Sequence, residues 1–355
     1  MPEIGKNFDK QSLDTFESSF MTTRLQQLNH WLSETICSKD YQLEPASADA
    51  SFRRYFRLKF NDETFIVMDA PPEQENCNPF IDIAERLLAA NINVPKILEK
   101  DLQQGFLLLS DLGDKQYLDV LTEESVDGLY QAAMQELVLI QQQAETKNLP
   151  AYNEKLLLQE MELFRHWLLQ EHIKLDLTVE TQAMLDEVFK LLVNEALSQP
   201  RVFVHRDYHS RNLMLNSTGG ENPGVLDFQD AVEGPFTYDL VSLLKDCYIK
   251  WPDQRIRAWV NDYFAEITEE YPDIDAARFM RWVDLMGVQR HLKASGIFAR
   301  LYHRDGKTAY LADIPRTLSY IVDLHDAYPE LQGLIELIQN QVMTSIAGAN
   351  KSCVP

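Results

Sequence analysis

Val202-Phe203-Val204-His205-Arg206-Asp207-Tyr208-His209-Ser210-Arg211-Asn212-Leu213-Met214-Leu215 is an apolar run that breaks into a loop of charged and polar side chains. After Gly219-Gly220 and Pro223 the chain returns as Gly224-Val225-Leu226-Asp227-Phe228-Gln229-Asp230. This pattern predicts a strand, a polar loop and a β-hairpin. Antiparallel pairing of arms that begin near Asn212 and end near Asp227 brings those two side chains together, although 15 residues separate them. A carboxylate and an amide oxygen converging at one point suit Mg²⁺, a hard cation that takes few protein ligands. Asp207, five residues before Asn212, falls at the loop's turn and faces the same point. A carboxylate there can accept the proton of an attacking hydroxyl. Taken singly, each of these residues is equally at home as a turn or cap residue; the three together carry the chemical reading.

Upstream of this segment the chain reads as strands around one helix. Residues 41–46 and 52–60 are rich in aromatic and apolar side chains and flank Ser47-Ala48-Asp49-Ala50-Ser51, a hairpin pattern. Residues 64–68 make a third strand, stopped by Pro71-Pro72, and residues 79–90 carry apolar positions at helical spacing. Two further strands are expected at 96–99 and 105–109, followed by a hinge at Ser110-Asp111-Leu112-Gly113-Asp114. Beyond it, residues 123–144, 154–171, 178–197, 253–269 and 276–300 repeat near 3.6, and no internal repeat of longer period is present. The expected fold class is α+β, with a small antiparallel-sheet lobe over residues 1–109, including an N-terminal helical segment, and a larger helical lobe over 110–355.

Composition narrows the function. The 355 residues hold 33 basic and 55 acidic side chains, a net charge of −22, with 45% hydrophobic and 25% charged residues. That balance is globular and speaks against nucleic acid or an anionic membrane as partner, since both need a basic face. No apolar run approaches the ~18 residues of a membrane span. The first 20 residues mix Lys, Asp and Glu, unlike a secretory signal. Cys37, Cys77, Cys247 and Cys353 are widely spaced without a Cys-x-x-Cys pair, so a reduced, cytoplasmic protein is expected.

His205-x-Asp207 followed by Asn212, with Asp227-Phe228 downstream, resembles the catalytic and metal-binding motifs of kinases. His209 and the short gap to Asp227 are similar to the aminoglycoside phosphotransferase and choline kinase branch of that superfamily. The resemblance implies a protein-kinase-like two-lobe fold using ATP and Mg²⁺. Asp207 would be the catalytic carboxylate, and Asn212 and Asp227 the metal ligands. His205 would brace the loop, while Asp239 would open a helix and bond the loop backbone; a plain helix cap is the simpler reading of Asp239. His209 either touches the acceptor or bonds the backbone.

The first lobe departs from the kinase pattern. The turn Ala48-Asp49-Ala50-Ser51-Phe52-Arg53-Arg54-Tyr55 stands where kinases place a glycine-rich loop, yet it contains no glycine. Ser51, Arg53 and Arg54 are the candidate nucleotide-binding residues, with an ordinary hairpin turn as the alternative. Met68 occupies the position of the phosphate-holding lysine. Arg53 and Arg57 alternate onto the Tyr55 side of their strand, whereas Arg54 reaches that side only through a bulge. Glu85, at the place of the lysine's usual acidic partner, is equally suited to a solvated surface.

Residues 289–307 hold Arg290, Lys293, Arg300, Arg304 and Lys307 against the single anion Asp305, a local charge of +4. This suits an anionic acceptor, or is a solvated basic helix face. Arg290, Lys293, Arg300 and Arg304, with His209, are therefore the candidate substrate contacts. At finer grain, Pro45 to Arg57, Val67-Met68-Asp69-Ala70-Pro71-Pro72, the 205–212 loop and Gln289-Arg290-His291-Leu292-Lys293 resemble the amino-sugar kinases of this superfamily. That resemblance implies a small-molecule sugar substrate phosphorylated by ATP at its anomeric hydroxyl. Another acceptor on the same fold, such as an aminoglycoside or choline, and a catalytically silent binding module are the other readings.

Overall fold

The computed structural model describes residues 10–48, 52–215 and 223–352, with side chains at 23–46, 52–215 and 223–350. Ser51 lies outside the described residues. The chain separates into two compact units, residues 1–81 with 95–111 and residues 82–94 with 112–355.

The first unit begins with helix α1 (Lys10–Thr35) and continues into strands β1 (Gln42–Ala48), β2 (Arg54–Phe60) and β3 (Glu63–Asp69). Helix α2 (Asn78–Ala89) starts in this unit, which is completed by β4 (Ile97–Asp101) and β5 (Phe106–Ser110). The five strands form one antiparallel sheet in the order β1-β2-β3-β5-β4. Alternation decides its faces, because successive side chains in a strand point to opposite sides. Leu58, Val67, Phe106 and Leu108 share one face and bury against Leu28 and Leu32 of α1. Each such side chain contributes about 1.5–3 kcal/mol by leaving water. Tyr55 pairs with Met68 and Arg57 with Ile66 across the ladder, on the opposite face.

Arg54 falls on the helix-covered face. The β2–β3 ladder runs without a register shift, so no bulge turns it over. Its Nε donates to Asp69 Oδ2 at 3.0 Å, and Arg24 of α1 donates to Asp69 Oδ1 from its Nε at 3.2 Å. Two guanidiniums thus share one fully buried carboxylate. This corrects the expectation for Arg54: its charge closes a structural ion triad under α1 rather than joining Arg57 on the Tyr55 face.

The second unit is helical around two short ribbons. It contains α3 (Tyr117–Val120), α4 (Val126–Gln143), α5 (Glu154–Leu163), α6 (Val179–Leu197), α7 (Tyr238–Leu244), α8 (Asp253–Ile267), α9 (Ala276–Asp305), α10 (Ile314–Val322), α11 (Gln332–Leu337) and α12 (Met343–Ser352). Strand β6 (Arg201–Val204) pairs with β9 (Val232–Pro235), and β7 (Leu213–Met214) with β8 (Gly224–Val225). The expected hairpin is therefore present, and a second ribbon, absent from the sequence reading, frames it.

Helix α9 is the axis of this unit. From Trp282 to Lys293 every residue is buried, so this stretch is covered on all sides. At Gly296 it meets the backbone of Leu163 and Phe164, where a Cβ would stand 2.3 Å from the Leu163 carbonyl carbon. No side chain fits there. At that same point α5 widens into a π-helical segment, Phe164–His172.

Candidate active site

The 205–212 loop leaves β6 and enters β7, so two ribbons fix its ends. Arg206 has φ 77° and Asp227 φ 63°, the left-handed region that non-glycine residues seldom occupy. Such backbone costs about 1–3 kcal/mol per residue and persists where the surroundings impose it. Asp239, in the first turn of α7, supplies part of that constraint. Its two carboxylate oxygens accept the amides of His205 at 2.6 Å and Arg206 at 2.9 Å. Burial pushes the Asp239 carboxyl up to about 7, against the pull of those two donors. His205 Nδ1 accepts the Asp207 amide at 3.2 Å, and burial pushes this imidazole down to about 4. The ring is therefore a neutral brace at physiological pH. Asp246 finishes the clamp by accepting the Ser210 amide at 3.0 Å and the Ser210 hydroxyl.

Asn212 and Asp227 do converge. Asn212 Nδ2 donates to the Asp207 carbonyl at 2.9 Å and reaches Asp227 Oδ2 at 3.4 Å. The amide of Leu226 bonds the Asn212 carbonyl at 2.9 Å, so the β7–β8 pairing itself sets this juxtaposition. Gln229 Nε2 donates to Asp227 Oδ1 at 2.7 Å and orients the carboxylate. A carboxylate beside an amide side chain is a donor set that fits a hard divalent cation with open positions.

Among the described residues none donates a hydrogen bond to the Asp207 carboxylate. Burial opposes its charge, yet Lys293, His209, Arg206 and Arg290 together hold its carboxyl below the usual carboxylate range. Of these, Lys293 and Arg206 meet in a buried polar core. Glu160, buried on α5, accepts Arg206 at 2.6 Å, Lys293 at 3.1 Å, Gln289 at 3.3 Å and the Tyr152 hydroxyl. Lys293 also donates to the Tyr238 hydroxyl at 2.8 Å. Lys293 and Arg206 outweigh burial at Glu160, which stays ionised below its ordinary range.

The stretch 289–307 is not one basic face. Arg290 is buried and donates to Ser242 Oγ at 2.6 Å and Cys247 Sγ at 3.3 Å. Lys293 is buried in the Glu160 core. Arg304 is exposed and pairs with its neighbour Asp305 at 2.7 Å, while Arg300 is partly exposed. The four candidate substrate contacts of this stretch thus divide into two internal cations and two outer ones. A 30-residue helix turns its charges to different sides, and the buried ones find partners within the fold. In the first unit Arg53 pairs with Glu75 at 3.3 Å and Arg57 with Asp111 at 2.7 Å, and Met68 is fully buried; Glu85, in the second unit, is exposed.

Sequence reasoning passed over Glu160, Asp246 and Gln229. Glu160 lies within the apolar stripe Leu157, Met161 and Phe164, and an acid in such a stripe signals a buried charge with a partner. Asp246 ends an apolar run that begins at Leu240 and carries the same signal.

Comparison with known proteins follows the same lines. Residues 42–280 match the phosphotransferase enzyme family. An N-acetylmuramate/N-acetylglucosamine kinase of Pseudomonas aeruginosa is 48% identical over 327 residues, covering 89% of this chain and 96% of that protein. One of Neisseria meningitidis is 40% identical over 319 residues, covering 88% and 94%. Among solved structures, the ADP-bound aminoglycoside phosphotransferase APH(2'')-Ib superposes with a TM-score of 0.56 at 16% identity, over 83% of this chain and 97% of that one. Choline kinase LicA from Streptococcus pneumoniae gives 0.57 at 12%, over 83% and 98%. At these identities the structural likeness speaks for the fold alone.

Proposed function

Since the chain belongs to the phosphotransferase enzyme family, we propose that it is an ATP- and Mg²⁺-dependent kinase of N-acetylmuramate and N-acetylglucosamine. The hydroxyl it phosphorylates is the anomeric one at C1. The observation that carries this reading is the Asp207 carboxylate, kept ionised by buried cations and, among the described residues, without a hydrogen-bond donor, on the same loop as Asn212, which meets Asp227. The sugar choice rests on the relatives' names and on their near-full-length identity.

In this reading Asp207 orients the C1 hydroxyl and accepts its proton late, as the hydroxyl oxygen bonds to phosphorus and the bond to the departing ADP breaks. Asn212 and Asp227 hold the metal, which when bound neutralises charge on the phosphates. Gln229 fixes Asp227, and His205, Asp239 and Asp246 fix the loop. Catalysis is mostly positioning and charge complementarity. Residues 1–109 serve the nucleotide, with Arg53 the cation assigned to its phosphates; residues 110–355 carry the loop and the acceptor. A cytoplasmic site of action belongs to the same reading, because that is where ATP is held. Among the described residues no helix is long and apolar enough to cross a membrane.

ADP release with ATP, Mg²⁺ and a panel of N-acetylmuramate, N-acetylglucosamine, choline and kanamycin tests the proposal. Turnover is expected with the two amino sugars. Turnover with choline or kanamycin but neither sugar contradicts it.

A further inference from the structure

Arg211 is a residue of the 205–212 loop that the mechanism above does not use. Its neighbours are immobilised: Ser210 bonds Asp246 through both its amide and its hydroxyl, and Asn212 donates its amide to the His209 carbonyl at 2.9 Å. Its guanidinium lies over the Tyr248 ring, 4.3 Å from the centroid. Stacking and a side-chain hydrogen bond to Tyr248 hold the guanidinium, a group whose planar N–H fork suits a carboxylate. No carboxylate among the described residues forms an ion pair with it. Asp313, the carboxylate that acts on it electrostatically, is taken by Arg316 at 2.5 Å.

The surroundings are built for a ligand. Tyr248 meets the His209 ring edge-on at 5.3 Å and the Phe298 ring at 6.2 Å, and Phe298 stacks on Tyr310 at 5.6 Å. His209 is 9% exposed, and its Nδ1 is buried without a hydrogen-bond partner. Its amide bonds the Asp207 carbonyl at 3.1 Å, which ties this aromatic patch directly to the proposed base. An unpartnered imidazole nitrogen, a guanidinium with no carboxylate partner among the described residues and aromatic rings are the groups that recognise a pyranose bearing an acid.

The two proposed acceptors differ in one group. N-Acetylmuramate carries a lactyl ether with a carboxylate on O3, where N-acetylglucosamine has a hydroxyl. The geometry points to Arg211, held on Tyr248, as the residue that reads this carboxylate and sets the preference between the two sugars. The assignment rests on the amino-sugar reading of the site. It replaces the buried Arg290 and Lys293 as the source of that selectivity, because both are engaged by internal partners, Arg290 by Ser242 and Cys247 and Lys293 by Tyr238 and Glu160.

The test is kcat/KM for N-acetylmuramate, N-acetylglucosamine and 3-O-methyl-N-acetylglucosamine, a neutral ether at the same position, with the wild type, Arg211→Met and Arg211→Lys. A charge-assisted fork predicts that Arg211→Met lowers the ratio of N-acetylmuramate to the neutral ether by roughly 10- to 100-fold, mainly through KM. Arg211→Lys, which keeps the charge and loses the fork, restores part of that ratio. An unchanged ratio in both variants overturns the assignment, and if Arg211→Met fails to fold, an unchanged ratio in Arg211→Lys alone does so. Absence of turnover with both amino sugars in the wild type overturns the reading beneath it, and this assignment falls with it.

Discussion

The 205–212 loop and the 289–307 stretch are both dense in charge, and the fold uses them in opposite ways. In the loop, residues adjacent in sequence stay adjacent in space, because β6, β7 and the Asp239 and Asp246 carboxylates hold the backbone in one shape. In the helix, neighbours in sequence point to different sides, and the fold spends the buried cations on Glu160, Ser242 and Cys247. Local charge density therefore reports a site only where the backbone gathers it. On a helix it has to be sorted by burial first. The cations of the helix still matter to the loop, since Lys293 and Arg290 help to keep Asp207 ionised.

That contrast can be broken in four places. Asp207→Asn removes the proposed base without changing shape, and kcat should fall roughly 10²–10⁴-fold with an unchanged thermal midpoint. A variant of near-normal kcat would remove Asp207 from the chemistry. Gln229→Leu removes the donor that orients Asp227, and the Mg²⁺ concentration for half-maximal rate should rise roughly 10- to 100-fold. No change would mean that Asp227 needs no such support.

Lys293→Met tests the link between helix and loop. It strips one cation from buried Glu160, so stability should drop by about 3 kcal/mol in urea titration. It also removes the largest charge that lowers the Asp207 carboxyl. A base must be ionised to work, and its rate falls as pH drops through its own pKa. With that pKa less depressed, the acid limb of the pH–rate profile should move to higher pH; a limb that stays in place would separate the helix from the site. Arg304→Ala is the smallest effect. Its side chain is exposed and paired only with the adjacent Asp305, so stability should change by less than about 0.5 kcal/mol and both sugar rates should be unaltered.

Much of the fold is legible in the sequence because its signals are periodic and local. The five strands follow alternation and turn residues, and the long helices follow 3.6 spacing, with α9 extending to Asp305 where Gly306 adopts the left-handed conformation that ends it. The Asn212–Asp227 meeting is equally legible, because hairpin pairing is a short-range rule. What lies beyond reach depends on partners distant in sequence. Arg290 bonds Ser242 and Cys247, 48 and 43 residues away, and nothing near Arg290 announces them. Arg54 likewise needs Asp69 and, through it, Arg24 of a helix whose docking face the strand pattern does not reveal. Glu160 is an intermediate case, since its apolar setting is visible while the identity of its four partners is not.

The central claim concerns which oxygen receives the phosphoryl group. Phosphorus-31 NMR of the product made from N-acetylglucosamine, ATP and Mg²⁺ tests it most directly. The account predicts a single phosphomonoester signal coupled to the anomeric proton with the wild type, and loss of that signal over the same interval with Asp207→Asn. A product carrying its phosphate at C6, or an undiminished C1 signal from the variant, would contradict it.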